Sequence, residues 1–286
     1  MIRQKRRPII KITILTDNNT YIDRYFLAEP GLSIFIEDGE SKILFDCGYS
    51  DVFIKNATKL KIDLTTIDTL VLSHNHLDHT WGLTDYIRLL TEERLEGRSP
   101  ATPKLVSCPD TFRHTTYPMI GTIGSLIPLE RISTYFSPII SKEPVVLSEN
   151  CIFLGEIPRE TSFEPTPAIG RKEGETSDDS IPEDSAIVYK SEKGLVIITG
   201  CSHAGICNIV NYAKKVCEDD RIIDIIGGLH LHDCDSTQLE GTVHFIGALG
   251  LSSLHACHCT GLQAQVALSK VAPVNEVGSG LVLEYS

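Results

Sequence analysis

Four times along this chain an aliphatic run ends in a group of His, Cys or Asp residues. The run 67–73 leads into Ser73-His74-Asn75-His76-Leu77-Asp78-His79-Thr80, and Leu195–Thr199 leads into Gly200-Cys201-Ser202-His203-Ala204-Gly205. The run 222–226 leads into Gly227-Gly228-Leu229-His230-Leu231-His232, and 251–256 leads into Cys257-His258-Cys259-Thr260-Gly261. Each run has the aliphatic, β-branched character of a strand. Strand ends of one sheet lie side by side, so side chains delivered there converge, as ligand sites in α/β sheets do. The pattern demands sheets whose strand ends gather into one polar site, and the flanking glycines allow backbone to approach it closely.

The first of these groups carries the sharpest chemistry. In its extended part His74 and His76 share a face, because side chains two apart point the same way. As the chain turns into a helix, Asp78 and His79 are brought round to the same space. Neutral imidazoles and a carboxylate suit zinc or a similar borderline divalent ion. Asp78 is the natural group to bind a second ion or to steer a water. A lone surface histidine needs no explanation, but three beside an aspartate at the end of a buried strand do. His203 and His258 read as ligands or catalytic groups rather than as buried, hydrogen-bonded core histidines. Cys201 is open between a ligand and a small core residue, and His230 between a contact to substrate or to a ligand and a structural role. His232 and His255 read as structural or exposed. Cys257-X-Cys259 has no partner Cys-X-X-Cys, so a zinc ribbon is not the expectation. Cys47, Cys108, Cys151, Cys207, Cys217 and Cys234 are expected to fill core.

Composition narrows the class. The chain has 286 residues and is 42% hydrophobic, which excludes wholesale disorder and fits a single domain over 1–286. A net charge of 26 − 38 = −12 argues against nucleic acid as a partner. No apolar run approaches the ~20 residues that span a bilayer, so no membrane is expected. The basic start, Met1 to Pro8, reads as a solvated tail, since 9–15 is a strand interrupted by Lys11 and Thr13 rather than a secretory segment. Nine cysteines without a secretory signal then read as reduced thiols or ligands, and the expected compartment is the cytoplasm.

The pattern predicts a hairpin of 32–37 and 42–45 around Asp38-Gly39 and a second of 186–189 with Leu195–Thr199. It predicts helices over Val52–Leu60, 85–96 and 209–216, and a last strand at 281–285. Hairpins mixed with helices argue for an α/β sandwich rather than a purely parallel sheet. The segment 158–183, crowded with Pro, Gly, Ser, Thr and charge, reads as a long loop that is functional or mobile.

His74-X-His76-X-Asp78-His79 at a strand end resembles the signature of the metallo-β-lactamase fold superfamily, and Leu44-Phe45-Asp46-Cys47-Gly48 resembles its first motif. Leu15-Thr16-Asp17-Asn18, Gly155-Glu156-Ile157-Pro158-Arg159, Gly227-Gly228-Leu229-His230-Leu231 and His258-Cys259-Thr260-Gly261 are similar to the branch named for 7,8-dihydropterin-6-methyl-4-(β-D-ribofuranosyl)-aminobenzene-5′-phosphate synthase. The resemblance covers nearly the whole chain. It implies an αββα four-layer sandwich of two mixed β-sheets flanked by helices, with one or two divalent ions, zinc foremost and manganese or iron as substitutes. His74 and His76 would hold the first ion, and Asp78 and His79 the second. Cys201 would stand where relatives place a bridging Asp or a zinc-binding Cys, His258 would be the last ligand, and Asp46 would orient the set. The Gly-His motif of many relatives has no counterpart near 178–185, and His203 would take its place.

Two further residues follow from the same comparison. Trp81 replaces the first Gly of the relatives' Asp-His-Thr-Gly-Gly and would either wall a flat substrate or simply pack. Arg159, or cations of 158–183, would either hold an anionic substrate group or sit on the surface. The implied activity is a metal-dependent hydrolase acting on an ester, amide or phosphoester of a small molecule, with Asp78 and His203 catalytic. The alternatives are the synthase condensation and a non-catalytic ligand sensor. A flavin-bearing redox relative would need more chain than this.

Overall fold

Alternation along the strands divides their side chains between two environments. In Leu195–Thr199, Val196 and Ile198 enter a core between two sheets, while Leu195 and Ile197 enter a second core beneath helices. In Ser41–Phe45, Ile43 and Phe45 face the same central core and Leu44 faces a third, also roofed by helices. A sheet apolar on both faces must be covered on both, and the outcome is the expected four-layer αββα sandwich.

The computed structural model describes residues 9–164 and 168–286; the basic start at 1–8 lies outside the described residues. One sheet has seven strands, in the order Val282–Tyr285, Ile10–Thr16, Ser33–Asp38, Ser41–Phe45, Thr69–Val71, Lys104–Ser107 and Ser137–Ile140. The other has six, in the order His255–Cys257, Ile222–Gly228, Leu195–Thr199, Ala186–Lys190, Cys151–Phe153 and Val145–Val146. Both are mixed. Ser41–Phe45, Thr69–Val71 and Lys104–Ser107 run parallel in the first, and Leu195–Thr199, Ile222–Gly228 and His255–Cys257 run parallel in the second. The ligand-type residues of the sequence follow the C-terminal ends of these parallel strands. Phe53, Ala57, Tyr86 and Leu90 of the helices Val52–Leu60 and Leu83–Leu95 pack on the first sheet. Ile209, Val210 and Ala213 of Ile206–Cys217 and Ile246 of Ser236–Leu249 pack on the second. Cys47, Cys108, Cys151, Cys207 and Cys217 are buried within the three cores. Among the described residues no helix is long and apolar enough to cross a membrane.

Both predicted hairpins form, the first turning at Gly39 with φ of 61°. The run 67–73 contributes only Thr69–Val71 to the sheet, because the Ser73 N–H leaves the ladder and donates to the Asp46 carboxylate at 2.8 Å. The helix Ser236–Leu249 was not among the expected elements, although Asp235 caps it through the Gln238 N–H and left-handed Gly250 ends it. Segment 158–183 is not structureless. Arg171–Lys172 pairs with Thr115–Tyr117, which pairs in turn with Gly121–Thr122. Lys172, 2% exposed, is held there by Glu183 at 2.7 Å and Asp179 at 3.0 Å.

At Gly200 the two sheets touch: a side-chain carbon there would overlap the Ser73 hydroxyl. Gly200→Ala is therefore expected to lower stability by about 1–3 kcal/mol, read by chemical denaturation, as for other overpacking changes. It is also expected to weaken metal uptake, because Ser73 supports the site; unchanged values for both would contradict this contact.

Candidate metal centre

Asp46 stands at the end of Ser41–Phe45 with a left-handed backbone, φ 58°, which turns its carboxylate back beneath the neighbouring strand end. A carboxylate only accepts. Its Oδ2 takes the Ser73 Oγ–H and the His79 Nδ1–H, each at 2.7 Å. With its proton directed to Asp46, Ser73 Oγ accepts from His74 Nδ1 at 2.8 Å. Both rings are fixed in the tautomer that leaves Nε2 with a free lone pair, the form a metal requires. His258 is set from the opposite side: its Nδ1 lies 3.0 Å from the Asn18 Oδ1, and its backbone N–H donates to Asp17 at 3.0 Å.

Two groups of donor atoms result, each with all its atoms within 4.8 Å of one another. One comprises Asp78, His79, Cys201 and His258; the other comprises His74, Cys201 and His203, and Cys201 belongs to both. In the first group His79 Nε2 lies 3.2 Å from the Cys201 Sγ and 3.2 Å from His258 Nε2, while Asp78 Oδ2 lies 3.3 Å from His258 Nε2. In the second, the His74 and His203 rings are 4.8 Å apart. The His76 ring stands 4.7 Å from one and 4.8 Å from the other.

The donors fit a divalent ion on their own chemistry. His74 Nε2, His76 Nε2 and both ring nitrogens of His203 are buried without a hydrogen-bond partner. A buried polar atom left so costs on the order of 1–3 kcal/mol, which coordination relieves. Burial holds His74 and His203 well below the ordinary imidazole range and His76 down at about 4, so all three present neutral rings. Burial also pushes the Cys201 thiol up, so its anionic form needs a cation beside it. Burial disfavours the charged form of His258, but its hydrogen bond to Asp78 and the neighbouring Cys259 lift it to about 9. The adjacent histidines hold Asp78 well below the carboxylate range despite its burial.

The other expected residues divide. His230 lines the cavity above the centre, its ring 4.4 Å from that of His203, and burial brings it down to about 4. Trp81 does not line the cavity. It donates to the Gly124 carbonyl at 2.8 Å and stacks behind Tyr49 at 5.3 Å, so Tyr49 takes the wall position expected of Trp81. Arg159 also turns away, donating to the Ile181 carbonyl at 2.7 Å, and holds segment 158–183 in place. His255 pairs with Asp224 at 2.8 Å, away from the donors, and His232 is exposed on the cavity rim.

The sequence reading missed Asp184. It is fully buried, accepts from the Ala204 N–H at 2.8 Å, and places Oδ1 4.0 Å from His74 Nδ1; burial pushes it up to about 7. Asp17 and Asn18, which carried the resemblance without a role, are the groups that hold His258. Their place directly after the strand Ile10–Thr16 was the available signal.

Residues 27–91 match the family model of the metallo-beta-lactamase superfamily, and the chain belongs to this superfamily. Over 268 residues it is 30% identical to the 7,8-dihydropterin-6-methyl-4-(beta-D-ribofuranosyl)-aminobenzene-5'-phosphate synthase of Methanocaldococcus jannaschii, covering 90% of this chain and 89% of that protein. An uncharacterized protein of the same organism is also 30% identical, over 91% of this chain and 94% of its own length. The solved structure of Tm1679, a metal-dependent hydrolase of the beta-lactamase superfamily, shares the fold with a TM-score of 0.81 at 27% identity, over 97% of this chain and 99% of that one.

Two outcomes follow. Asp46→Ala removes the acceptor that orients His79 and, through Ser73, His74, and is expected to weaken zinc binding about 10- to 100-fold in chelator competition. At pH 7 His258 carries a proton that an incoming ion must displace. Zinc affinity is therefore expected to rise with pH by about tenfold per pH unit for each proton displaced, from His258 up to about 9 and from the Cys201 thiol beyond it. A flat profile between pH 6 and 9 would count against His258 as a ligand.

Proposed function

We propose that this protein is a metal-dependent hydrolase of a small-molecule ester, amide or phosphoester, using one or two divalent ions, with zinc preferred and manganese or iron able to substitute. The observation that carries this reading is the sharing of the Cys201 sulfur by two donor groups, one buried and one partly buried, whose His203 and Asp78 line an 840 Å³ cavity. In it, His74, His76, His203 and Cys201 would hold one ion, and Asp78, His79, Cys201 and His258 the other. The ions would supply Lewis acidity that lowers the pKa of water and polarises the substrate's scissile group.

The chain's own groups do the rest. Asp78, its side chain 26% exposed towards the cavity, offers a carboxylate that accepts and positions the proton of the attacking water. His203 has two unpartnered ring nitrogens, so one can serve an ion and the other the substrate or its leaving group. His230, neutral and facing the cavity, can hydrogen-bond the bound substrate. The fixed rotamers of His74, His79 and His258 keep these groups in place without reorganisation as charge develops.

The full-length likeness to a synthase favours a second reading, in which an arylamine rather than water attacks at the same centre. Both readings share the ion-binding residues and differ in the nucleophile. A panel of phosphodiesters, thioesters, lactones and pterin phosphates, assayed with and without the amine, separates them.

Purified protein is expected to carry one to two ions per chain, and a chelator should abolish turnover that zinc restores. His76→Ala and Asp78→Ala are expected to lower kcat by more than about a hundredfold while far-UV circular dichroism stays unchanged. Protein that takes up neither zinc, manganese nor iron, or variants that keep full activity, would overturn the assignment.

A further inference from the structure

The cavity above the donors measures 840 Å³, the size of a site for a drug-sized molecule. Its walls are Tyr49, Leu77, Tyr117, Ile120, Ile123 and Ile169. Among the described residues that line it there is no Lys or Arg, and its charged groups are Asp78, Glu164 and Asp233. The cations of the neighbouring segments are committed elsewhere. Arg113 pairs with Glu175, Arg171 with Asp178, and Lys172 with Glu183 and Asp179, while Arg159 is bound to the Ile181 carbonyl.

One other feature could attract an anion, the N-terminus of the helix Ile206–Cys217, which opens beside the cavity at Gly205. Two of its free N–H groups are taken: Cys207 and Asn208 donate to the two oxygens of Glu164 at 2.8 and 3.1 Å. A substrate phosphate or carboxylate reaching into this space would meet apolar walls and like charge, with its hydration lost and no cation to replace it.

We infer that the cavity selects substrates whose body beyond the scissile group is apolar and uncharged, and that it rejects an anionic tail. This rests on the hydrolase reading for the reaction but not for the fit. The scissile group lies against the donors on the floor, and an acyl chain or aryl body lies along Tyr49, Tyr117 and Ile120. Glu164 acts twice, occupying the helix N-terminus that an anionic tail would seek and setting the sign of the charge that the tail meets. By this reading a phosphorylated ribosyl tail is a poor fit, which separates the chain's substrate preference from that of its 30% identical synthase relative.

The test uses three hydroxamates on the zinc-loaded full chain, by calorimetry: acetohydroxamate, octanohydroxamate and the monohydroxamate of suberic acid. All three present the same chelating group, and the last two differ by a terminal carboxylate. Octanohydroxamate is expected to bind at least about tenfold more tightly than either of the others, about 1.4 kcal/mol by that ratio. Glu164→Gln should narrow the gap between the two long tails. Equal or tighter binding of the carboxylate-tailed compound overturns the inference, as does a failure of octanohydroxamate to exceed acetohydroxamate. Zinc content and ester turnover, measured on the same protein, report the hydrolase reading separately. Tail preference without turnover of any octyl- or octanoyl-bearing ester, amide or phosphoester would sink that reading and leave this one standing, and turnover indifferent to the tail would do the reverse.

Discussion

The Asp46 carboxylate is the interaction on which the site depends. It accepts the Ser73 N–H, the Ser73 hydroxyl and the His79 ring N–H, and through Ser73 it reaches His74. One side chain thus ends a ladder, turns a strand and fixes the tautomers of two candidate ligands. Its left-handed backbone is costly for a non-glycine residue, on the order of 1–3 kcal/mol, and the three hydrogen bonds hold it there. Ser202, His230 and His258 also have positive φ, at 60°, 50° and 53°. Strain of one kind thus gathers at the strand ends, where an abrupt change of chain direction drops side chains from neighbouring strands into one space.

Much of this was legible in the sequence because it is written in local patterns. The strand ends at 74–79, 201–203 and 258 carry recognisable donors, and hairpins mixed with helices already point to an α/β sandwich. What was not legible depends on contacts between distant parts of the chain. Asp184 looks like any loop carboxylate until the fold places it 4.0 Å from His74 and removes it from water. Trp81, the sole tryptophan and adjacent to the motif, invited a substrate role, but the Gly124 carbonyl claims its N–H and Tyr49 covers its face. The cations of 158–183 looked available in sequence; the fold satisfies them within the segment or against the hairpin it pairs with. Side-chain exposure, which decides what can touch a ligand, is a tertiary property that residue type alone does not carry.

The centre divides its environment sharply. Below, His74, His79 and His258 are held by hydrogen bonds that they donate to Ser73, Asp46, Asp17 and Asn18, so their positions change little when charge appears among them. Above, the walls come from loops and a short hairpin whose tip exposes Met119 and Ile120. The fold is shared at a TM-score of 0.81 with a protein described as a hydrolase, and the sequence at 30% identity with one described as a synthase.

The two ring nitrogens that meet at 3.2 Å, in His79 and His258, are 179 positions apart, and His258 is braced by Asn18 from 240 positions away. Both contacts span well over half of the chain, and such contacts form only after large loops have closed. A chain that has paired only its early hairpins exposes the cluster at 74–79 but not its counterparts from the second sheet. On the proposed reading, high-affinity capture of an ion would be a property of the finished sandwich, and the ion would report completed folding as well as serve the reaction.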